Sequence, residues 1–305
     1  MNRRHFLYTT AASAAFTALG GLSLSSYKRF EEKHITILHT NDVHSHIEPF
    51  PASHSRAANQ GGVARRATLI QAIRRENANT LLFDAGDIFQ GTPYFNFYGG
   101  ELEFKLMSML NYDAATIGNH DFDNGIDGLY AQLPYAKFDF LSANYDFSNT
   151  VMDAHVKPHK VFIKDGVKIG VFGLGIALEG LVSKDLYKET KYLNPIEIAQ
   201  DISRTLKEKE QCHIVICLSH LGNDYPNQPE KVSDTVLARE TEDIDLIIGG
   251  HTHTFMDKPK IHTNRKGTKM LVNQVGCYGI NLGRIDFYLD VNKGTLRNEG
   301  VSITV

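Results

Sequence analysis

Five short apolar runs in this 305-residue chain each end in a cluster of Asp, Asn or His. The runs are Ile35–Leu38, Leu81–Phe83, Ala114–Ile117, Ile214–Leu218 and Leu246–Ile248. Runs of this length and apolar content are typical of buried strands. The residues that follow them are His39–His44, Asp84–Asp87, Gly118–Asp123, Ser219–Gly222 and Gly249–His253. Because α/β sheets build their sites at the carboxyl ends of strands, the pattern predicts an α/β protein with one polar site.

Helical spacing separates these runs and supports a single α/β domain over residues 27–305. Apolar residues recur every three or four positions in Gly62–Arg75 and again in Leu102–Leu110. Asn194-Pro195-x-Glu197 is typical of a helix start, with a cap, a proline and an acid in the first turn. Further strands are predicted at Val167–Phe172, Lys269–Gly276, Gly283–Leu289 and Val301–Val305.

The composition excludes several classes of protein. With 32 Lys+Arg against 35 Asp+Glu the net charge is -3, and no basic field is present that would attract nucleic acid. The 42% hydrophobic content is that of a globular protein, and three cysteines are too few for a disulfide framework. Cys212 and Cys217 share one predicted strand, where their separation prevents a bridge, so both are predicted to fill the core.

The first residues have the layout of a secretory signal. Arg3 and Arg4 precede an uncharged stretch from Phe6 to Leu24, which small residues follow. The Arg3-Arg4-x-Phe6-Leu7 pattern resembles a twin-arginine signal. We therefore predict a signal peptide over residues 1–26 and a periplasmic or extracellular protein, with an uncleaved membrane anchor as the alternative.

The polar clusters indicate metal binding when they are taken together. A single Asp-x-His or a lone histidine is weak, but five such clusters lie in the same position relative to five predicted strands. Imidazole combined with carboxylate favours Zn, Mn, Fe or Co over Ca. Two ions close together need a shared carboxylate, which Asp87 can supply. The sequence thus predicts a site for two divalent transition metal ions.

These motifs resemble a known family. The set is Asp42-x-His44, Gly86-Asp87, Gly118-Asn119-His120-Asp121, His220 and Gly250-His251-x-His253. Together they resemble the calcineurin-like metallophosphoesterases, and Gly61–Arg65 and the segments around the motifs resemble the bacterial 5'-nucleotidase family, specifically its N-terminal metallophosphatase domain. The resemblance implies a four-layer α/β/β/α sandwich with two central, mostly mixed sheets.

The resemblance also implies a role for each motif residue. It places Asp42, His44 and His253 at one metal, Asn119, His220 and His251 at the other, and Asp87 as the bridge. His253 occupies a position where some 5'-nucleotidases carry Gln, so its match is to the wider superfamily. His120 and Asp123 resemble the catalytic pair, three residues apart on one helical face. The alternative for Asp123 is an acid in the first turn that stabilises a helix start. For Asp121 we expect either that role or the support of a metal ligand.

The implied activity is hydrolysis of phosphate esters by a metal-held hydroxide, with 5'-nucleotides cleaved to nucleoside and phosphate. His120, kept cationic by Asp123, would stabilise developing negative charge. The alternatives are a UDP-sugar hydrolase, a 2',3'-cyclic-nucleotide phosphodiesterase, or a non-catalytic subunit that binds nucleotide or metal. The intact ligand set and the His120–Asp123 pair favour an enzyme over a binding subunit.

Substrate selection is the less determined part of this prediction. Two-domain 5'-nucleotidases take their phosphate-binding arginines and base-stacking aromatic pair from a C-terminal domain, to which no segment here corresponds. We therefore expect either a separate polypeptide that supplies such a domain or a less selective enzyme. Phe95, Phe97 and Tyr98 follow the Asp87 cluster and either contact a base or pack against neighbouring structure.

Overall fold

The computed structural model describes residues 32–305, so the signal peptide predicted for residues 1–26 lies outside the described residues. The strands are β1 (Glu32–Thr40), β2 (Thr80–Asp84), β3 (Ala114–Ala115), β4 (Asp139–Phe140), β5 (Tyr145–Asp146), β6 (His159–Lys164), β7 (Val167–Leu174), β8 (Lys191–Tyr192), β9 (Ile214–Ser219), β10 (Leu246–Gly249), β11 (Lys260–Thr263), β12 (Lys269–Asn273), β13 (Asn281–Asp290) and β14 (Thr295–Thr304). One six-stranded sheet has the order β14-β13-β1-β2-β3-β4, and the other has the order β11-β12-β10-β9-β7-β6.

Helices cover the outer faces of both sheets. They are α1 (Val63–Glu76), α2 (Pro93–Tyr98), α3 (Glu101–Met109), α4 (Gly125–Gln132), α5 (Lys184–Tyr187), α6 (Pro195–Arg204) and α7 (Asp234–Glu240). Short 3₁₀ turns span His120–Phe122 and Leu133–Tyr135, and a π-helical turn, Thr205–Lys209, continues α6. The helix start predicted at Asn194 is confirmed, because its side-chain oxygen accepts a hydrogen bond from the backbone N–H of Ile196 at 3.0 Å.

The central strands are buried on both faces, which explains why they are continuous apolar runs in the sequence. Ile35 and Ile37 of β1 point into the core between the two sheets, whereas Leu38 points into the core beneath the helices. The core under the first sheet includes Ile70 of α1. A third core places Leu237 of α7 against the second sheet. The predicted four-layer α/β/β/α sandwich is therefore confirmed.

The topology brings the carboxyl ends of the five strands to one edge. In the first sheet β1, β2 and β3 are parallel neighbours, and Thr40 lies opposite Asp84 in register. In the second sheet β9 and β10 are parallel, with Gly249 opposite Ser219. Antiparallel pairing of β1 with β13 and of β13 with β14 makes the first sheet mixed, as predicted.

Several predicted strands have different boundaries in the structure, and three of them show why. The strand predicted at Ala114–Ile117 pairs only through Ala114 and Ala115, after which the chain turns towards the site. The strand predicted at Lys269–Gly276 ends at Asn273. The last strand is longer than Val301–Val305, because its exposed first half pairs with β13 yet has no apolar pattern for the sequence to display.

All three cysteines of the chain lie in the part that the structure describes. Cys212, Cys217 and Cys277 are buried free thiols, so the prediction that Cys212 and Cys217 fill the core without a bridge is confirmed. Within residues 32–305, no helix combines the length and the apolar content that crossing a membrane requires.

A buried carboxylate joins β1 to β13. Asp286 accepts hydrogen bonds from the Thr36 hydroxyl at 2.6 Å and from Arg284 Nε at 2.8 Å, and it lies 2.8 Å from His34 Nε2. Burial raises the pKa of Asp286, but hydrogen bonds from Thr36, Arg284 and His34 outweigh it, and the net pKa is lowered. A carboxyl with a lowered pKa stabilises the fold above its unfolded pKa and loses that contribution as pH falls through the folded value.

We therefore expect Asp286→Asn to lower the free energy of unfolding at neutral pH by about 1.5–3 kcal/mol, the range for hydrogen bonds to a charged group. The difference from the wild type should shrink below roughly pH 4, where the unfolded carboxyl becomes protonated, and disappear as pH falls through the lower folded pKa. Urea unfolding at neutral and acidic pH measures both effects. Asp201→Asn, at a side chain that is 75% exposed on α6, is the matched control. A deficit that persists unchanged in acid would contradict this account.

Candidate metal centre

Two groups of ligand atoms meet at the shared strand edge. Asp42, His44 and His253 form one group, and Asp87, His220 and His251 form the other; within each group the ligand atoms lie within 4.8 Å of one another. In the first group His253 Nε2 lies 3.0 Å from His44 Nε2 and 3.3 Å from Asp42 Oδ1. The structure thus brings together six of the seven predicted ligands in two clusters.

Asp87 lies between the two groups. Its Oδ2 atom is 3.0 Å from His220 Nε2 and 3.8 Å from His44 Nε2, which belong to different groups. Its other oxygen, Oδ1, accepts a hydrogen bond from the backbone N–H of His120 at 2.8 Å. This is the position that a carboxylate shared by two cations requires.

The seventh predicted ligand, Asn119, joins the second group. Its side-chain oxygen lies 2.8 Å from His251 Nδ1. The backbone N–H of His251 donates to both oxygens of Asp42, at 2.9 and 3.0 Å, and so ties the loop of one group to a ligand of the other. All seven predicted residues therefore lie in one connected site.

The histidine orientations suit metal ligation. His220 Nδ1 is 2.6 Å from the carbonyl oxygen of Ala85, and His44 Nδ1 is 3.2 Å from that of Phe89. A carbonyl only accepts, so both Nδ1 atoms carry a proton, and each Nε2 is the ring atom left to face the site and a metal. His220 Nε2 is fully buried and faces Asp87 Oδ2 at 3.0 Å. A buried imidazole nitrogen this close to a carboxylate suits a cation bound between the two.

Backbone strain is concentrated at the candidate ligands. Five of the seven have positive φ angles without being glycine, namely Asp42, His44, Asp87, His251 and His253. Such angles are uncommon for residues with a Cβ and persist where the surrounding structure enforces them. With these φ angles, the ligand side chains of each loop face the same ligand groups.

Two glycines allow the loops to approach each other. A Cβ on Gly86, whose φ is +88°, would lie 2.6 Å from the backbone nitrogen of Gly118. A Cβ on Gly118 would collide with the Asp87 carboxyl group. Any larger residue at either position would push Asp87 away from the histidines.

The charges of the site favour a cation. Burial lowers the pKa of His220, but the Asp87 charge outweighs it and raises that pKa to about 10. A hydrogen bond to Asp42 is the main cause that raises the pKa of His253, also to about 10. Conversely, burial raises the pKa of Asp87, yet His220 and His44 bring it well below its usual range. The ionised carboxylates that hold protons on these imidazoles attract divalent cations, whose binding would release those protons.

His120 and Asp123 lie at the rim of the site. His120 Nδ1 is 2.8 Å from Asp123 Oδ2, and the two side chains are 39% and 30% exposed. The expected helical spacing comes from a 3₁₀ turn over His120–Phe122, with Asp123 as its C-cap, instead of an α-helix. The hydrogen bond to Asp123 is the main cause that raises the pKa of His120. The contact with Asp123 therefore favours the protonated imidazole of His120, which is partly exposed to solvent.

Asp121 supports the loop that carries Asp87. It is fully buried and accepts hydrogen bonds from four backbone N–H groups, those of Gly118, Asp87, Ile88 and Phe89, at 2.8–3.1 Å. Three of these four donors belong to the segment Asp87–Phe89, so the contacts agree with the prediction that Asp121 supports a ligand. They do not agree with stabilisation of a helix start. A carboxylate with several such donors is held rigidly in place.

Two further buried amides were missed by the sequence analysis. Asn41 donates to Asp42 Oδ2 and to the carbonyl of Gly276, both at 2.6 Å. Gln274 donates to the carbonyl of Gly250 at 2.5 Å, and its oxygen accepts from the backbone N–H of Thr254. Asn41 adjoins a motif and was in reach of sequence reasoning, but Gln274 follows a strand distant in sequence and offered no local signal.

The aromatic segment after Asp87 is divided between core and surface. The segment forms helix α2, in which Phe95 packs on Phe89 with ring centroids 5.3 Å apart. Phe97 is 83% exposed and Tyr98 is 53% exposed. Of the two predicted alternatives, packing therefore applies to Phe95 alone.

Comparison with known proteins agrees with this geometry. The model of the protein family described as calcineurin-like phosphoesterase matches residues 35–255 of this chain. The trifunctional nucleotide phosphoesterase protein YfkN of Bacillus subtilis is 32% identical over 303 residues, which cover 89% of this chain and 19% of that protein. Homo sapiens 5'-nucleotidase is 32% identical over 320 residues, covering 95% of this chain and 52% of its own length.

A similar relation holds among solved structures. The 5'-nucleotidase precursor from Thermus thermophilus superposes with a TM-score of 0.80 at 32% identity, covering 90% of this chain and 55% of that one. This chain thus spans about half the length of the 5'-nucleotidases that it matches. Because the family match includes the strands and loops that build the site, the chain belongs to the calcineurin-like phosphoesterases, which are phosphate ester hydrolases.

Proposed function

We propose that this protein hydrolyses 5'-nucleotides to nucleosides and phosphate at the site formed by the two ligand groups. The observation that carries the proposal is the Asp87 carboxylate, which lies between imidazoles of both groups. Relatives named 5'-nucleotidase and nucleotide phosphoesterase, each 32% identical, support a nucleotide as the ester.

The residues present suit two divalent transition metal ions. Asp42, His44 and His253 would hold one, Asn119, His220 and His251 the other, and Asp87 would contact both. When bound, such a pair polarises phosphoryl oxygens and lowers the pKa of water at the site towards neutrality. Imidazole and carboxylate donors favour Zn, Mn, Fe or Co.

The chain's own contribution to the reaction is a proton held near the leaving group. Asp123 occupies Nδ1 of His120, so the other ring nitrogen is free to face the substrate. The hydrogen bond to Asp123 raises the pKa of His120 and so favours the cationic form of the imidazole. A cation at this place stabilises negative charge on the transferring phosphoryl group and can donate its proton to the departing oxygen.

Other members of the superfamily define the alternatives. A UDP-sugar hydrolase or a 2',3'-cyclic-nucleotide phosphodiesterase would use the same metal centre. The Bacillus relative is named a trifunctional nucleotide phosphoesterase, which supports including several nucleotide esters among the candidate substrates. A non-catalytic subunit could lose His120 and Asp123 or part of the ligand set, so their presence together favours the enzyme. Export to the periplasm or beyond, and a separate polypeptide that completes the substrate site, also remain proposals.

A substrate panel tests this function. The protein would be incubated with Mn or Zn and a 5'-nucleotide, a 2',3'-cyclic nucleotide, UDP-glucose or a chromogenic phosphate ester, and released phosphate or nucleoside would be measured. We expect the 5'-nucleotide to be cleaved fastest. Metal binding without turnover of any ester would favour the binding subunit instead.

We expect Asp87→Ala to lose both metal and activity, because it removes the carboxylate between the groups and leaves His220 facing no counter-charge. Metal content after dialysis against Mn or Zn, measured by plasma mass spectrometry, reports the first effect. Asp127→Ala changes a 57%-exposed carboxylate on α4 and should retain both metals. A normally metallated Asp87 variant would refute the bridging role.

We expect His120→Ala to keep its metal but to lower kcat by roughly 10²–10⁴-fold, the usual contribution of general acid–base help. Asp123→Asn should retain more activity, because the imidazole remains in place. It removes the main cause of the raised His120 pKa, so the loss of activity on the alkaline side should begin at lower pH than in the wild type. An unchanged kcat in His120→Ala, or an alkaline limb that does not move in Asp123→Asn, would disprove the roles assigned.

A further inference from the structure

A row of four aromatic rings leads away from the first ligand group. Tyr278 lies 4.4 Å from His46 and 6.0 Å from Phe50, measured between ring centroids. His46 stacks on Phe50 at 5.0 Å, and Phe50 contacts His54 at 4.5 Å. All four side chains are half-buried, so the rings are held by their neighbours while part of each faces solvent. We call these residues the aromatic row.

The row starts at the ligands themselves. The Tyr278 ring is 5.9 Å from the His44 ring and 5.7 Å from the His253 ring. Its backbone has a positive φ of 61°, and its N–H donates to the carbonyl of Asp42 at 2.7 Å. The same strained backbone that orients the ligands therefore fixes the inner end of the row beside them.

The outer end belongs to a long ordered loop. Residues 41–62 connect β1 to α1 without a helix or a strand. Backbone hydrogen bonds between Phe50 and the 59–60 segment, at 2.8 and 3.1 Å, close the loop. The backbone N–H of Ala57 donates to His54 Nδ1 at 3.0 Å and orients that ring. Loops of this length inside a compact domain are uncommon and usually serve binding or catalysis.

We propose that the aromatic row binds the base of the nucleotide, a planar heteroaromatic ring, while the phosphate occupies the metal centre. This inference rests on the proposed function and names the substrate class within it. Bases stack on aromatic side chains because every base has a π face. In a 5'-nucleotide the base and the phosphate are separated by one pentose, and Tyr278 and Phe50 lie one and two ring contacts from the ligands.

The exposed face of α2 is the competing location. Phe97 is the most exposed large apolar side chain of the described residues, at 83%. Within residues 32–305, however, none of the ring contacts links Phe97 to a candidate ligand, whereas the row contacts two ligand rings. The geometry therefore favours the row.

The test compares two esters that differ only in the base. kcat/KM for AMP and for ribose 5-phosphate would be measured for the wild type, Phe50→Ala, Phe50→Tyr and Phe97→Ala. The wild type should prefer AMP. Phe50→Ala should lower the ratio of the two values by roughly 5- to 150-fold, which corresponds to the loss of one base–aromatic stack. Phe50→Tyr retains a ring and should restore the ratio, and Phe97→Ala should leave it unchanged.

Binding of adenosine provides a readout that does not need turnover. Isothermal titration calorimetry of the metal-loaded protein should give a Kd that increases by a similar factor in Phe50→Ala. His54→Ala, at the loop tip, is a second variant in case Phe50→Ala does not fold, which its thermal unfolding would reveal. Adenosine that fails to bind the wild type, or binds the variants equally well, would overturn the proposal.

The outcomes separate this inference from the proposed function. Cleavage of both esters with a ratio near one would refute the base site but leave the phosphoesterase proposal intact. Equal losses for both esters in Phe50→Ala would show that the row only supports the loop. A change of the ratio in Phe97→Ala alone would move the base site to α2. Adenosine binding without hydrolysis of either ester would refute the proposed hydrolysis and support the row.

Discussion

The structure depends on one buried carboxylate. Asp87 is almost wholly inaccessible to solvent, yet it lies within 3.8 Å of imidazole nitrogens from both sheets. A buried charge is costly unless it is paired, so the histidines or bound cations must compensate it. Everything around Asp87 follows from this requirement: glycines let two loops touch, and strained backbone turns the ligands inward. The packing of the four-layer sandwich keeps the five loops next to one another at one edge of the sheets.

Much of the rigidity of the site comes from groups that contact no predicted substrate. Asp121 gathers four backbone N–H groups around the Asp87 loop. Asn41 donates to Asp42 Oδ2, and Gln274 donates to the carbonyl of Gly250, in the loop that carries His251 and His253. Metal sites generally need such outer contacts to fix the orientation of their ligands. The strain at the ligand φ angles is therefore tolerated because neighbouring hydrogen bonds leave the backbone no alternative.

Chemistry and selectivity have different origins in this domain. In the proposed function, the metal centre and the pair of His120 and Asp123 would recognise and polarise a phosphoryl group, which every phosphate ester presents. Selection among esters depends on what the remainder of the substrate contacts. The chain matches about half of each 5'-nucleotidase compared. The aromatic row would allow this half to contact a base with its own residues, because the row begins at two ligand rings.

The sequence alone determined the α/β class, most of the strands and the candidate ligands, because each is encoded locally: an apolar run, then a turn, then Asp, Asn or His. The four layers were implied by the resemblance to the calcineurin-like metallophosphoesterases. The sequence also predicted the contact between His120 and Asp123, which needs only three residues of separation. The resemblance implied which ligands share a group, but only the tertiary structure brings their atoms together, since His253 meets Asp42 across 211 residues of chain. Tertiary structure decided as well the extension of β14, the clamp around Asp121, the support from Gln274 and the row that joins Tyr278 to Phe50. These features arise from pairing between distant segments, and such pairing leaves no periodic or compositional mark on either segment alone.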